Sequence, residues 1–277
     1  AEGAYFLELY HGCTIAFKDM ALSILPHLMT TAAKKNQVDK EIVILTATSG
    51  DTGKAALAGY AGLPGIRIAV FYPNAGTSEV QRLQMATQEG DNVAVYAVNG
   101  NFDDAQTGVK RVFADEDLAQ ELAAKNEKLS SANSINWGRV LPQIVYYISA
   151  YCDLLNAGTI EAGTRVNFCV PTGNFGNILS GFYAKRMGVP IGRLICASNE
   201  NNVLTDFIKT GTYDRNRPFY QTASPSMDIL ISSNLERLLS LLSGSDEEVR
   251  GYMQKLSETG TYTVSDRVLR AVQAEFS

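Results

Sequence analysis

Short apolar runs rich in β-branched and aromatic residues alternate with longer segments of helical periodicity along almost the whole chain. This rhythm leaves few folds open. The runs fall at 5–9, 42–46, 66–71, 93–98, 166–170 and 193–197. Helical patterns lie near 19–33, 52–61, 78–88, 103–124, 139–156, 176–187 and 201–209. Most of the runs are continuously apolar, as strands covered on both faces are. Such alternation predicts βαβ units and an α/β fold: open, mostly parallel sheets with helices on both faces. Beyond residue 210 the pattern turns helical, over 234–242, 246–256 and 265–276. The polar, Tyr/Pro-rich stretch 210–226 reads as a long loop, and loops of that length are often functional. A subdomain over approximately 42–150 is expected, with 1–41 and 151–277 as the remainder.

The 277 residues are 45% hydrophobic and 19% charged, enough to bury a substantial core. A formal net charge of −5 argues against nucleic acid or an anionic membrane as partner, since both favour a basic patch. No apolar run approaches the roughly 20 residues of a membrane span. The opening Ala1-Glu2-Gly3-Ala4-Tyr5 has no basic segment before an apolar one, so it is not read as a signal peptide. It lacks an initiator Met and leads straight into an apolar run, which reads as an excerpt from a longer chain. The cysteines, Cys13, Cys152, Cys169 and Cys196, form no C-x-x-C pair and are expected as buried free thiols in a reducing, cytoplasmic compartment. With His11 and His27 as the two imidazoles, no metal site is expected.

Ligands of open parallel sheets sit at the carboxyl ends of strands. Two strand-to-helix turns have suitable chemistry. Thr46-Ala47-Thr48-Ser49-Gly50-Asp51-Thr52-Gly53 offers hydroxyls and helix N-terminal N–H groups to a carboxylate; it also reads as a plain turn capped by Ser49 or Asp51. Val170-Pro171-Thr172-Gly173-Asn174-Phe175-Gly176-Asn177 suits a phosphate held by backbone donors, or is an ordinary turn. Neither is a nucleotide loop: Ala55 follows Lys54 where a Walker A loop needs Ser or Thr, and Gly173 and Gly176 lack the third glycine of a dinucleotide fingerprint. A third cluster, Ser131-Ala132-Asn133-Ser134-Ile135-Asn136-Trp137-Gly138-Arg139, places amide, hydroxyl and guanidinium donors before a helix. Arg139 can clamp a phosphate there in bidentate fashion, and Trp137 is expected to pack into the core.

Lys18 closes His11-Gly12-Cys13-Thr14-Ile15-Ala16-Phe17-Lys18, just before Asp19 and a helical pattern. A helix N-terminus disfavours a cation, and burial behind the apolar 15–17 flank would lower the amine's pKa and make it a better nucleophile toward an aldehyde.

The motif from His11 to Asp19 resembles the pyridoxal-phosphate (PLP) lysine motif of threonine synthases, which have the tryptophan-synthase-β-like fold, PLP fold type II. Further family-like segments follow in order: Thr48 to Gly53, Ser78-Glu79-Val80-Gln81 with Gln84-Met85, Gly100 to Gln106, Asn133 to Arg139, Pro171 to Asn177, Ser198-Asn199-Glu200-Asn201 and Ser224-Pro225-Ser226-Met227-Asp228. The resemblance implies that Lys18 forms the Schiff base and later moves protons. It implies that Gly173, Asn174, Phe175, Gly176 and Asn177 cradle the cofactor phosphate. Ser49, Gly50, Asp51 and Thr52 would face the substrate carboxylate, with Asp51 also near the cofactor hydroxyl. Asn133, Ser134, Asn136 and Arg139 would meet the substrate's phosphate. The implied reaction converts O-phospho-L-homoserine and water to L-threonine and phosphate. Two departures stand out. Cys13 occupies a position where the family usually has Pro. The family also has an N-terminal domain and further C-terminal sequence, and nothing in this chain is assigned to partner the cofactor's pyridine nitrogen. A dehydratase or sulfide-using synthase of the same fold, or a binding-only remnant, is the alternative.

Overall fold

The computed structural model describes residues 3–74 and 76–277, with Asp103 described in its backbone alone. Ala1 and Glu2, which bear on the reading of the chain's start, lie outside the described residues. By contacts the chain forms two compact units, 1–142 and 143–277.

The first unit contains α1 (Asp19–Lys35), β1 (Glu41–Ala47), α2 (Asp51–Tyr60), β2 (Ile66–Pro73), α3 (Glu79–Ala86), β3 (Val93–Val98), α4 (Phe102–Ala114), α5 (Glu116–Ala124) and β4 (Glu127–Ser131). Its four strands lie in the order β3-β2-β1-β4, all parallel, with Ile44 of β1 level with Ile68 of β2 and Ser130 of β4. Alternate residues of β1 feed two cores. Ile42 and Ile44 join Leu22, Leu25, Leu57, Tyr60 and Met85 on one side. Leu45 and Ala47 meet Ala105 and Val109 of α4 on the other. Burial on both faces explains why the central strands read as unbroken apolar runs.

The helices α1 and α2 cross at a backbone contact. A Cβ built on Gly59 would lie 2.1 Å from the carbonyl oxygen of Leu22. Nothing at this crossing can rotate away, so Gly59→Ala is expected to separate the helices and cost about 3 kcal/mol, the upper end for core overpacking. Urea unfolding would show this as a lower midpoint with an unchanged slope.

The second unit contains α6 (Ile144–Asn156), β5 (Val166–Pro171), α7 (Gly176–Arg186), β6 (Ile191–Ala197), α8 (Val203–Thr210), β7 (Thr212–Asp214), α9 (Leu235–Ser243), α10 (Asp246–Thr259), β8 (Thr261–Thr263) and α11 (Asp266–Glu275). Strands β5 and β6 are parallel, and β7 and β8 pair antiparallel. Phe175, Phe182 and Phe276 form one aromatic group, and Phe207, Tyr213, Tyr252 and Tyr262 form another.

Several sequence expectations are corrected. Residues 5–9 make no strand and pair with none among the described residues, with Phe6 92% exposed. Strand β4 escaped notice because Glu-Lys-Leu-Ser-Ser is a polar edge strand. The predicted helix 103–124 breaks at Asp115, which ends α4 and caps α5 by accepting the Leu118 N–H at 2.9 Å. The helix predicted from 139 starts at Ile144, after two short 3₁₀ turns, Trp137–Arg139 and Leu141–Gln143, the second of which contains Pro142. The loop 210–226 includes β7. Of the thiols, Cys196 is buried, whereas Cys13, Cys152 and Cys169 are exposed. Cys169 falls on an outward position of β5 and Cys152 on the open side of α6.

Candidate active site

Three loops in the first unit, two of them at the ends of strands, bring charged and polar groups together. The first leads into α1. Asp19, the first residue of that helix, is buried and gathers the preceding loop: its carboxylate accepts the Thr14 N–H at 2.8 Å, the Thr14 hydroxyl, and the Ala16 N–H at 3.5 Å. A carboxylate suits this end of a helix. The loop so held delivers Lys18 to the N-cap position of α1, as the sequence predicts. Lys18 is only 8% exposed. Its Nζ lies 2.5 Å from Oδ2 of Asp51 and 4.8 Å from the centre of the Phe17 ring. Burial pushes the amine below the ordinary lysine range. The Asp51 carboxylate opposes this, and the Arg139 guanidinium adds to the lowering.

The second loop joins β1 to α2. Here Thr48 is the organiser, contrary to the expected cap by Ser49 or Asp51. Its buried Oγ1 accepts the N–H groups of Gly50 and Gly53, each at 2.9 Å. Asp51 is thereby left at the first position of α2, where one carboxylate oxygen accepts the Thr52 N–H at 2.8 Å and the other meets Lys18. Ser49 and Thr52 are half-buried beside it.

Because a neutral amine is the reactive form, the pH midpoint of Lys18's reaction with an aldehyde reports this environment. Asp51 favours the charged form. Asp51→Asn is therefore expected to move the midpoint to lower pH, measured as the initial rate of imine formation across a pH series. An unmoved or higher midpoint would show that Asp51 does not control the amine.

The third loop, after β4, carries Asn133 to Arg139. Both polar atoms of the Asn133 side chain hold the backbone of Ala47: Nδ2 donates to its oxygen at 2.7 Å and Oδ1 accepts its N–H at 3.2 Å. Asn136 donates to the Ser131 oxygen at 2.9 Å and accepts the Gly138 N–H at 2.9 Å. These amides maintain the loop's shape, and their expected contact with substrate stays a proposal. Arg139 is 3% exposed and donates through Nη1 to the Ala132 oxygen at 2.7 Å. Trp137, expected in the core, is 44% exposed.

In the second unit, residues 172–177 turn from β5 into α7. Gly173 and Phe175 adopt positive φ, 49° and 66°. The fully buried Phe175 sends its N–H to the Thr172 oxygen at 3.1 Å, so that donor serves the turn. Helix α7 has no side-chain cap. Its first N–H groups, from Gly176 and Asn177, point off an end of positive dipole that attracts anions. The Asn177 side chain is engaged, its Oδ1 accepting from the Tyr147 hydroxyl at 2.9 Å. Above Gly176 is room: a Cβ there would approach Asn234 Nδ2 at 3.5 Å and Gln143 Nε2 at 3.9 Å, ordinary contact distances. An open first turn with amide groups at its side fits a phosphate ester. The buried Lys18 amine fits an aldehyde. Sequence reading missed Asp19 and Thr48, both signalled by helix-start chemistry, and Ser232 to Asn234, which carried no signal.

The family model described as "Pyridoxal-phosphate dependent enzyme" matches residues 3–265. The chain is 45% identical to "Threonine synthase-like 1" of Homo sapiens, over 98% of this chain and 37% of that protein. It is 42% identical to the threonine synthase of Pseudomonas aeruginosa, over 95% of this chain and 54% of that one. Among solved structures, PLP-bound threonine synthase from Brucella melitensis superposes with a TM-score of 0.88 at 42% identity, covering 100% of this chain and 57% of that chain. The yeast enzyme gives 0.86 at 37%, covering 98% and 54%. A PLP-dependent aspartate racemase shares the fold at 11% identity, with a TM-score of 0.55. The fold is thus PLP fold type II, and the chain spans between about a third and somewhat over half of these threonine synthases and threonine synthase-like proteins. On these grounds the chain belongs to the family of pyridoxal-phosphate dependent enzymes.

Proposed function

We propose that the chain is the catalytic core of a threonine synthase acting on O-phospho-L-homoserine in the last step of threonine biosynthesis, in the cytoplasm. The observation that carries this reading is the buried Lys18 amine held against Asp51 at the start of α1. Threonine synthases among the relatives and solved structures support the substrate.

Bound PLP supplies an electron sink for carbanions formed next to its imine. The chain's own residues then have distinct tasks. Lys18 would be the nucleophile toward the cofactor's aldehyde, and its amine would take and return protons at the substrate carbons. Asp51 stabilises the ammonium form, so the proton has a defined holder between transfers. Gly173, Asn174, Phe175, Gly176 and Asn177 cradle the cofactor phosphate, with the Gly176 and Asn177 N–H groups at the start of α7 as donors while the Phe175 N–H holds the turn. Ser49, Gly50 and Thr52 receive the substrate carboxylate at the start of α2. Ser134 and Arg139 receive the phosphate that leaves from Cγ, while the hydroxyl of water arrives at Cβ.

A second reading follows from the relatives: "Threonine synthase-like 1" proteins reach 45–48% identity, above the 38–42% of the threonine synthases. A sister reaction that eliminates phosphate without making threonine is the alternative. Incubation with PLP and O-phospho-L-homoserine, followed by separate assays of phosphate, threonine and 2-oxo acid, decides between them. Equal amounts of phosphate and threonine support the proposal. Phosphate accompanied by 2-oxo acid supports the sister reaction, and no phosphate rejects both.

A further inference from the structure

The turn proposed to hold the cofactor phosphate is braced from outside by a segment 58–60 residues further along the chain. Asn174, in the middle of the turn, presents its carbonyl oxygen to two side chains: Asn234 Nδ2 at 3.0 Å and Ser232 Oγ at 3.3 Å. Ser233 Oγ reaches the Asn174 side chain at 3.4 Å. Asn234 is completely buried, and its own Oδ1 accepts from Arg237 Nη1 of α9. That second contact fixes which way the amide faces, because a guanidinium can only donate. The Nδ2 end is therefore aimed at the turn. It also stands 3.5 Å from the space a Cβ at Gly176 would fill, beside the first turn of α7.

The placement bears directly on how the turn could bind an anion. A peptide group carries its C=O and the following N–H on opposite sides. Fixing the Asn174 carbonyl outward fixes the Asn174–Phe175 peptide plane. The Phe175 N–H is then committed to Thr172, and the chain enters α7 with the Gly176 and Asn177 N–H groups set in one direction. A free carbonyl at Asn174 could instead rotate toward the anion and repel it. Phe175 sits at φ 66°, a conformation non-glycine residues seldom adopt, so local backbone preference does not hold this plane by itself. Asn234 is thus where the turn's polarity is decided, although it lies far away in sequence.

We propose that Asn234 is a positioning residue that locks the 173–177 turn with its N–H groups toward the cofactor phosphate. This rests on the reading of that turn as the phosphate cradle. Because the effect passes through the phosphate, the test compares PLP with pyridoxal, which has the aldehyde and ring but no phosphate.

Dissociation constants for both are measured by absorbance titration of the apoprotein, for the unaltered protein, Asn234→Ala and Gly176→Val, together with the apo melting temperature of each. Asn234→Ala is expected to weaken PLP by about 10-fold or more, the scale of a lost hydrogen bond supporting a charged ligand, while pyridoxal affinity stays within about twofold. Asn234→Asp, of the same shape but without the donor, should behave as Asn234→Ala does. If Asn234→Ala and Asn234→Asp both keep the full preference for PLP, the inference is overturned while the cradle reading stands. Equal weakening of PLP and pyridoxal would also overturn it, since it marks a general structural loss. If the unaltered protein shows no preference for PLP, or Gly176→Val retains it, the cradle reading fails and the inference with it.

Discussion

Lys18→Ala abolishes covalent capture of PLP and lowers turnover by roughly 10⁴-fold or more, the loss expected when a group acting as both nucleophile and proton carrier is removed. Among the described residues no other lysine is buried. Lys54, the nearest lysine in sequence to Asp51, is turned to Gln88, with Nζ 2.6 Å from its Oε1. Adding PLP, reducing with borohydride and mapping the modified peptide should find the label on Lys18 in the unaltered protein and no stoichiometric label in Lys18→Ala. A label on Lys54 in the unaltered protein would refute the assignment. Noncovalent PLP binding should survive the substitution, because the turn at 173–177 belongs to the second unit and does not include Lys18.

Arg139→Ala should produce two separable losses. Its guanidinium is buried and donates to the Ala132 carbonyl, so truncation leaves that acceptor unsatisfied and costs about 1–3 kcal/mol of stability. If the same side chain also receives the phosphate of O-phospho-L-homoserine, losing a hydrogen bond to a charged group raises KM by roughly 10–100-fold, or about 1.5–3 kcal/mol. Urea unfolding measures the first loss and steady-state kinetics measures the second. Assays with a hydroxyamino acid lacking phosphate separate a specific contact from general damage. Equal kinetic loss on both substrates would assign Arg139 a purely structural place and favour a dehydratase of the same fold.

What could be read from the sequence follows from how locally each feature is encoded. The central strands β1 and β2 were legible because both faces of that sheet are covered, leaving continuous apolar runs, and β3, although an edge strand, keeps the apolar run Val93–Val98. Strand β4 was not, because at an edge only some positions need be apolar, and Glu-Lys-Leu-Ser-Ser satisfies that minimum. Lys18 stood out through its position before a helix and its family motif. Asp19 was passed over because an acidic residue in the first turn is ordinary, as at Glu79 and Asp246. Its task shows only when the loop is seen folded onto it. Thr48 was hidden by two better-known cap candidates following it. That Asn133 and Asn136 also hold nearby backbone was not legible, because a sequence lists polar groups without saying which are occupied by the main chain. The 232–234 segment illustrates the limit: its link to Asn174 spans about 60 residues, and no periodicity or spacing rule reaches so far.

The crossing of α1 and α2 has a mechanical consequence. Lys18 stands at the head of one helix and Asp51 at the head of the other, and the Leu22–Gly59 contact lies one turn beyond Lys18. Main chain rests on main chain there, so the contact works as a hard stop that no rotamer change can soften. It fixes how closely the last turn of α2 can approach the first turns of α1, much as a spacer sets the gap between electrodes. Solvent-facing positions on both helices can then change freely while that gap keeps its width. An enlarged residue at the stop would instead spread the helices, and reactivity would drift before the unit melts.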